Sequence, residues 1–298
     1  MRKRFRDPDP DGAPDKKKFP TERDLAILRR LDLRRFVASN WLRHFVGGEY
    51  TAFASRLGQL FDGGYIKRQD EYLHPDTVHA RHIVYSLTDK GRKVLDDLGY
   101  PRVHASTKQY LHEFLGSLVM DSIEIGADQL GFQFVGWDTL QHDERVPARH
   151  LKNPFSVKLG DKNLRFDGTP FVLKNPDPQK DDKYIPGFEW DRNTEPLRSY
   201  DTREKWGDKL VAIKEFMQRR VYTTHYGFDN AIIPVVTTNA THMLNIMGLA
   251  KEICGSNNYL RFKAVPDWPK ARNFPAPNGD MLKEPWHTLD ARELFLYE

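Results

Sequence analysis

Between positions 188 and 210 the chain reads FEWDRNTEPLRSYDTREKWGDKL. In an extended strand, residues two apart share a face, so Glu189 and Asp191 project together while Trp190 turns away. On a helix, residues four apart stack, so Lys205 and Lys209 share one side. Asp167, in the preceding segment LRFDGTPFVLK, adds a third acid if those strands are neighbours. This set has the composition for metal-assisted phosphodiester cleavage. Carboxylates, Asp167 and Glu189 first and Asp191 beside them, would hold Mg²⁺ among oxygen ligands, and the ion would activate water and neutralise the leaving oxygen. Lys205 or Lys209 would orient the water or stabilise the transition state. The competing reading is plain ion pairing, Asp191 and Arg192 with Lys205 and Glu195.

Other chemistries find less support. Cys254 is the single cysteine, which excludes an internal disulfide framework and a multi-cysteine zinc site. The eleven histidines show no HExxH order; His79 with His82 and His142 with His150 read as loop residues. Neither GxxxxGK[ST] nor GxGxxG occurs. The segment VVTTNATH ends a strand and opens a helix, and its Thr and Asn residues could hold a phosphate at the helix N-terminus; capping of that helix explains them equally well and is the reading favoured.

The elements that must position these groups begin at Thr21, a helix cap before ERDLAILRRL, with Leu25, Leu28 and Leu31 at three-residue spacing. A second apolar segment, RFVASNWLRHFV, stops at Gly47-Gly48. In the third, EYTAFASRLGQLFDGGYI, Phe53, Leu57, Leu60 and Phe61 form one buried stripe. The opposite face carries Thr51, Ser55, Arg56 and Gln59, residue types that reach phosphates and base edges in a major groove. YIKRQ, with Lys67 and Arg68, opens a strand, RHIVYSLT returns, and Thr88 caps DKGRKVLDDLG. Three helices, a hairpin and a closing helix predict a winged helix-turn-helix over residues 21–100. Arg81 near the wing tip would meet phosphates, as would a basic, disordered arm over residues 1–20.

GYPRVH at 99–104 is the expected joint, followed by a second domain over 105–298. There TKQYLHEFLGSLVMDSIEIGA is an amphipathic helix with Tyr110, Phe114, Leu118 and Ile123 along one side. FQFVGW is a strand, LRFDGTPFVLK a hairpin turning at Asp167-Gly168, YIPGFEWD a strand, and DTREKWGDKLVAIKEFMQRR a helix. NAIIPVVTT is a buried strand, THMLNIMGLAKEI a helix, YLRFKAV a last strand. The proline-rich, aromatic remainder, Trp286 included, is an irregular tail. The fold class expected is α+β: a winged helix-turn-helix, then a restriction-endonuclease-like αβββαβ domain.

FDGTPFVL, FEWDRNTE and REKWGDKL together resemble the replication-relaxation family of plasmid and phage proteins, which join a winged helix to a domain like the PD-(D/E)xK nucleases. The resemblance spans about residues 21–265 and extends to YLHEFLGSLVMDSIE, where Glu124 would supply a further acid. It implies work on plasmid or phage DNA in replication, relaxation, mobilisation or transcription control. The pattern departs from the nuclease signature: Asp191 stands where lysine is expected two residues after Glu189, and Phe166 replaces the proline before Asp167. A lysine migrated to the helix, Lys205 or Lys209, would restore the set. The expectation favoured is a degenerate, non-cleaving domain, with an Mg²⁺-dependent endonuclease or nickase as the alternative and a protein-docking assembly factor as the third reading.

Composition agrees with a globular chain: 298 residues, 39% apolar and 30% charged, with no apolar stretch near twenty residues. The formal charge is only +4, with the basic surplus gathered in the first 36 residues. No apolar run follows the basic start, so no secretory leader and a reducing cytoplasm are expected. The partners expected are double-stranded DNA, a second copy of the chain if a palindrome is read, and proteins of the replication or transcription machinery, with no membrane.

Overall fold

The computed structural model describes residues 7–15, 19–69, 82–102, 110–147, 154–191, 206–266, 268 and 275–298. Arg81, Arg192, Glu195 and Lys205, proposed above as phosphate contact, ion-pair partners and cleavage lysine, lie outside them. The fold is mixed α+β with small sheets. The chain packs as two units, one formed up to Leu118 and from Lys270–Pro277, the other from Val119–Pro269 and Asn278–Glu298.

The first unit runs α1 (Glu22–Arg34), β1 (Val37–Ala38), α2 (Ser39–Val46), α3 (Tyr50–Asp62), β2 (Ile66–Arg68), β3 (Val84–Leu87) and α4 (Asp89–Asp97). A capping box starts α1: the Thr21 hydroxyl accepts from the Asp24 amide at 3.3 Å, and the Asp24 carboxylate accepts from the Thr21 amide at 2.8 Å. Gly47, at φ +75°, terminates α2 in a backbone region open to glycine. Phe53, Leu57, Leu60 and Phe61 are the buried stripe of α3, and Thr88 caps α4 by accepting from Gly91 N. The strands form one antiparallel sheet in the order β1-β3-β2.

Part of the N-terminal arm departs from the disorder expected of it. A 3-10 turn at Pro10–Gly12 sits at the end of α3, where the Asp9 amide donates to the Asp62 carboxylate at 3.1 Å. Phe19 stacks on Tyr65 at 4.1 Å, and Pro14 is buried. These apolar and proline residues, diluted by charge in the sequence, supply the contacts that composition conceals.

α5 (Tyr110–Leu130) carries the chain into the second unit, the division falling within the helix. Then follow β4 (Gln133–Val135), α6 (Trp137–Leu140), β5 (Ser156–Leu159), β6 (Lys162–Arg165), β7 (Phe171–Lys174), β8 (Lys183–Ile185), β9 (Glu189–Asp191), α7 (Trp206–Gln218), α8 (Val221–Tyr226), β10 (Ile233–Thr237), α9 (Ala240–Cys254), β11 (Leu260–Ala264), α10 (Asp280–Lys283), β12 (Trp286–Thr288) and β13 (Glu293–Leu294). The main sheet has the order β13-β12-β11-β10-β9, with β9, β10 and β11 mutually parallel. Parallel neighbours need crossovers, and α7 and α9 supply them.

Three expectations change. The two-residue hairpin turn is at Gly160-Asp161, where Leu159 pairs with Lys162 and Gly160 takes φ +57°. The Asp167-Gly168 pair instead links β6 to β7, which belong to different sheets. Gly168 is needed for space: a Cβ there would lie 1.8 Å from the Phe188 ring, and one on Gly187 would lie 2.4 Å from the Phe166 ring. Second, the strands before β9 do not join it in one meander, since β4-β7-β8 and β5-β6 are separate sheets. Third, the C-terminal tail is partly regular. β12 and β13 extend the main sheet, and Trp286 is fully buried with its indole N–H donating to Met281 O at 2.8 Å.

Candidate functional site

In the second unit, the reciprocal packing of Gly168 on Phe188 and Gly187 on Phe166 lays the 166–168 segment against the start of β9. The Asp167 and Gly168 amides both donate to Phe188 O, at 3.1 and 3.3 Å. The Asp167 carboxylate in turn accepts from the Trp190 amide at 2.9 Å. Asp167 and Glu189 are thereby neighbours, through a chain crossing rather than a hairpin.

Two side chains of α7 reach the same strand. Lys209 Nζ donates to Glu189 Oε2 at 2.6 Å, and Trp206, one turn earlier, donates its indole N–H to Asp191 Oδ2 at 2.9 Å. His242, in the first turn of α9, places its ring Nε2 2.6 Å from the same Asp191 oxygen. Asn239 fixes that turn by accepting from the His242 amide at 2.9 Å, the capping role read from the sequence. Glu189, Asp191 and Lys209 are 0%, 1% and 6% exposed. Burial pushes the Glu189 carboxyl well above the ordinary carboxylate range. The Lys209 ammonium opposes that shift, and the neighbouring Asp167 adds to it. Among the described residues, no hydrogen-bond donor meets Glu189 Oε1, and Asp167 is the neighbouring carboxyl that shares its surroundings.

Glu189 Oε2 faces an ammonium, and Asp191 Oδ2 is shared by an indole and an imidazole. Among the described residues, no three His, Cys, Asp or Glu side chains are grouped to hold a metal. Sequence reasoning brought forward Asp167, Glu189, Asp191 and Lys209 but missed Trp206 and His242. The signal for Trp206 was its three-residue spacing from Lys209; that for His242 was its place in the first turn after a buried strand.

In the first unit, Thr51 and Ser55 are exposed on α3, and Arg56 and Gln59 are half-buried. Arg56, half-buried, is paired within the unit. Its Nε donates to Asp24 Oδ1 at 2.6 Å, its second nitrogen to Asp24 Oδ2, and NH1 to Gln59 Oε1 at 2.6 Å. Burial alone would raise the Asp24 carboxyl, but Arg56 and the Thr21 donors outweigh it and hold the group below its ordinary value. Lys67 is exposed on β2, while Arg68 lies over the Phe61 ring at 4.1 Å. A shallow cleft between α1 and α3 is lined by Thr21, Glu22, Arg23, Ser55, Arg56 and Gln59. Among the described residues, no helix is long and apolar enough to cross a membrane.

Comparison with protein-family models, with curated proteins and with solved structures gives no match to this chain.

Proposed function

We propose that this chain binds duplex DNA through α3, and that the acid cluster of its second unit is an internal tie rather than a cleavage centre. The observation carrying the first half is the order α1-β1-α2-α3-β2-β3-α4 with a β1-β3-β2 sheet. A short strand between the first two helices, pairing with the last strand of a hairpin, is the arrangement of a winged helix-turn-helix. In that arrangement the third helix is the one presented to a major groove. Its apolar stripe is buried, and Thr51 and Ser55 stand on its exposed face. The charges lining the cleft beside it are mixed, Glu22 against Arg23 and Arg56, and Arg56 is already paired to the buried Asp24, which suits base edges better than phosphates. Exposed Arg43, Lys67 and Lys93 are candidates for the backbone.

The second half rests on Lys209. An ammonium hydrogen-bonded to the central glutamate, itself fully buried, supports reading the pair as an internal tie. The resemblance to replication-relaxation proteins gives the class of target, plasmid or phage DNA, and the β9-α7-β10 unit with acids on β9 and a lysine on α7 is compatible with descent from a nuclease-like domain.

The experiment has two readouts on the full chain. Fluorescence anisotropy with a mixed-sequence duplex of about 25 base pairs is expected to give binding whose logarithmic salt slope is negative. Supercoiled plasmid incubated with Mg²⁺ or Mn²⁺ is expected to stay intact. Absence of duplex binding at low salt removes the first half. Cleavage that disappears in Glu189→Gln replaces the second half with the endonuclease reading.

A further inference from the structure

Arginine has five N–H donors and no acceptor, so whichever atom of a neighbouring carboxamide it meets must be the oxygen. Arg56 NH1 meets the Gln59 side chain at 2.6 Å, which fixes Oε1 toward Arg56 and turns the NH₂ group away from it. Arg56 is in turn held by two bonds to Asp24, whose exposure is 0% and whose place is set by the α1 capping box. Asp24, Arg56 and Gln59 therefore form a relay from the start of α1 to the face of α3. Among the described residues no protein acceptor meets the Gln59 NH₂ group, and Gln59 lines the open cleft beside Ser55.

A free glutamine reads adenine with both ends of its amide, the oxygen accepting from N6 and the nitrogen donating to N7. Here the oxygen is held toward Arg56, so the NH₂ group is the end left to meet a base. We infer that Gln59 is a specificity-determining residue acting as a donor only, selecting guanine, whose O6 and N7 are adjacent acceptors, over adenine at the base pair it meets. This rests on the reading of α3 as a major-groove helix. Arg56 is a positioning residue: it sets which end of the amide faces the DNA.

The Gln59→Glu variant keeps an oxygen for Arg56 and leaves the Asp24 bonds intact, while the outward atom of the side chain changes from donor to acceptor. Acceptors of this kind pair with the N4 amino group of cytosine. The experiment is selection of bound duplexes from a randomised library by the full-length protein, followed by anisotropy titration of the enriched duplex and its single-base variants. Wild type is expected to prefer guanine over adenine at one position by about 5- to 100-fold. Gln59→Glu should move the preference at that position to cytosine. Arg56→Met, which releases the amide oxygen, should move it toward adenine. Because Arg56→Met strips a buried acid of its partner, Gln59→Met serves as the second handle and should lose discrimination at that position alone. A wild-type preference for adenine there, or a preference unchanged in both Gln59→Glu and Gln59→Met, overturns the inference while leaving DNA binding intact. No enrichment with no duplex bound overturns the α3 reading and the inference with it.

Discussion

Lys209→Met is expected to destabilise the second unit by about 3–5 kcal/mol at pH 8, because it leaves Glu189 buried with its balancing charge gone. The loss is comparable with the whole stability of many domains, so the partner variant matters. Lys209→Met combined with Glu189→Leu removes both charges and should recover most of the loss. The pH dependence follows from the direction of the Glu189 shift. A carboxyl raised above its unfolded value contributes stability below that value and loses it as pH rises through the folded one. Without Lys209 the folded value rises further, so the deficit of the single variant should be small near the ordinary glutamate value of 4.5 and grow toward neutrality. Urea titrations of the three proteins at about pH 5 and pH 8 check this. A deficit independent of pH, or a double variant as unstable as the single, would contradict the buried tie.

Ser55→Glu should weaken duplex binding by about 30- to 100-fold at moderate salt, corresponding to about 2–3 kcal/mol for a like charge set against phosphates. Ser55 is exposed on α3 and lines the cleft with Arg23 and Gln59. Glutamate is a good helix former, so the fold should be unaffected. The logarithmic salt slope should fall in magnitude by about one, as though a phosphate contact were lost. Ser55→Ala separates charge from the loss of a hydroxyl and should change affinity only a few-fold. Equal affinities of wild type and Ser55→Glu across salt would remove α3 from the interface.

Much of the first unit was legible because its signals are local. Thr21 and Thr88 cap, Gly47 stops a helix at positive φ, and the α3 stripe repeats at helical spacing. What failed depended on partners distant in sequence. That Arg56 is paired with Asp24, 32 positions away, shows only in the fold. Asp167-Gly168 carries the composition of a tight turn, yet its glycine serves a ring approaching from Phe188. Asp191 finds His242 only because β9 and β10 are parallel neighbours, a pairing that no local pattern encodes. Strands of two or three residues, such as β12 and β13, are too short to show a period. The acids and Lys209 were found from spacing alone, but their burial was not.

Photo-crosslinking from position 55 is the most direct test of duplex recognition by α3. A photoreactive phenylalanine analogue placed at Ser55, and in a second protein at the exposed Leu98 just beyond α4, would be irradiated with a labelled duplex at low salt. Strong crosslinking from position 55, competed by unlabelled duplex and weak from position 98, is the result expected. Efficient crosslinking from position 98 with none from position 55 would place the DNA elsewhere and contradict the account.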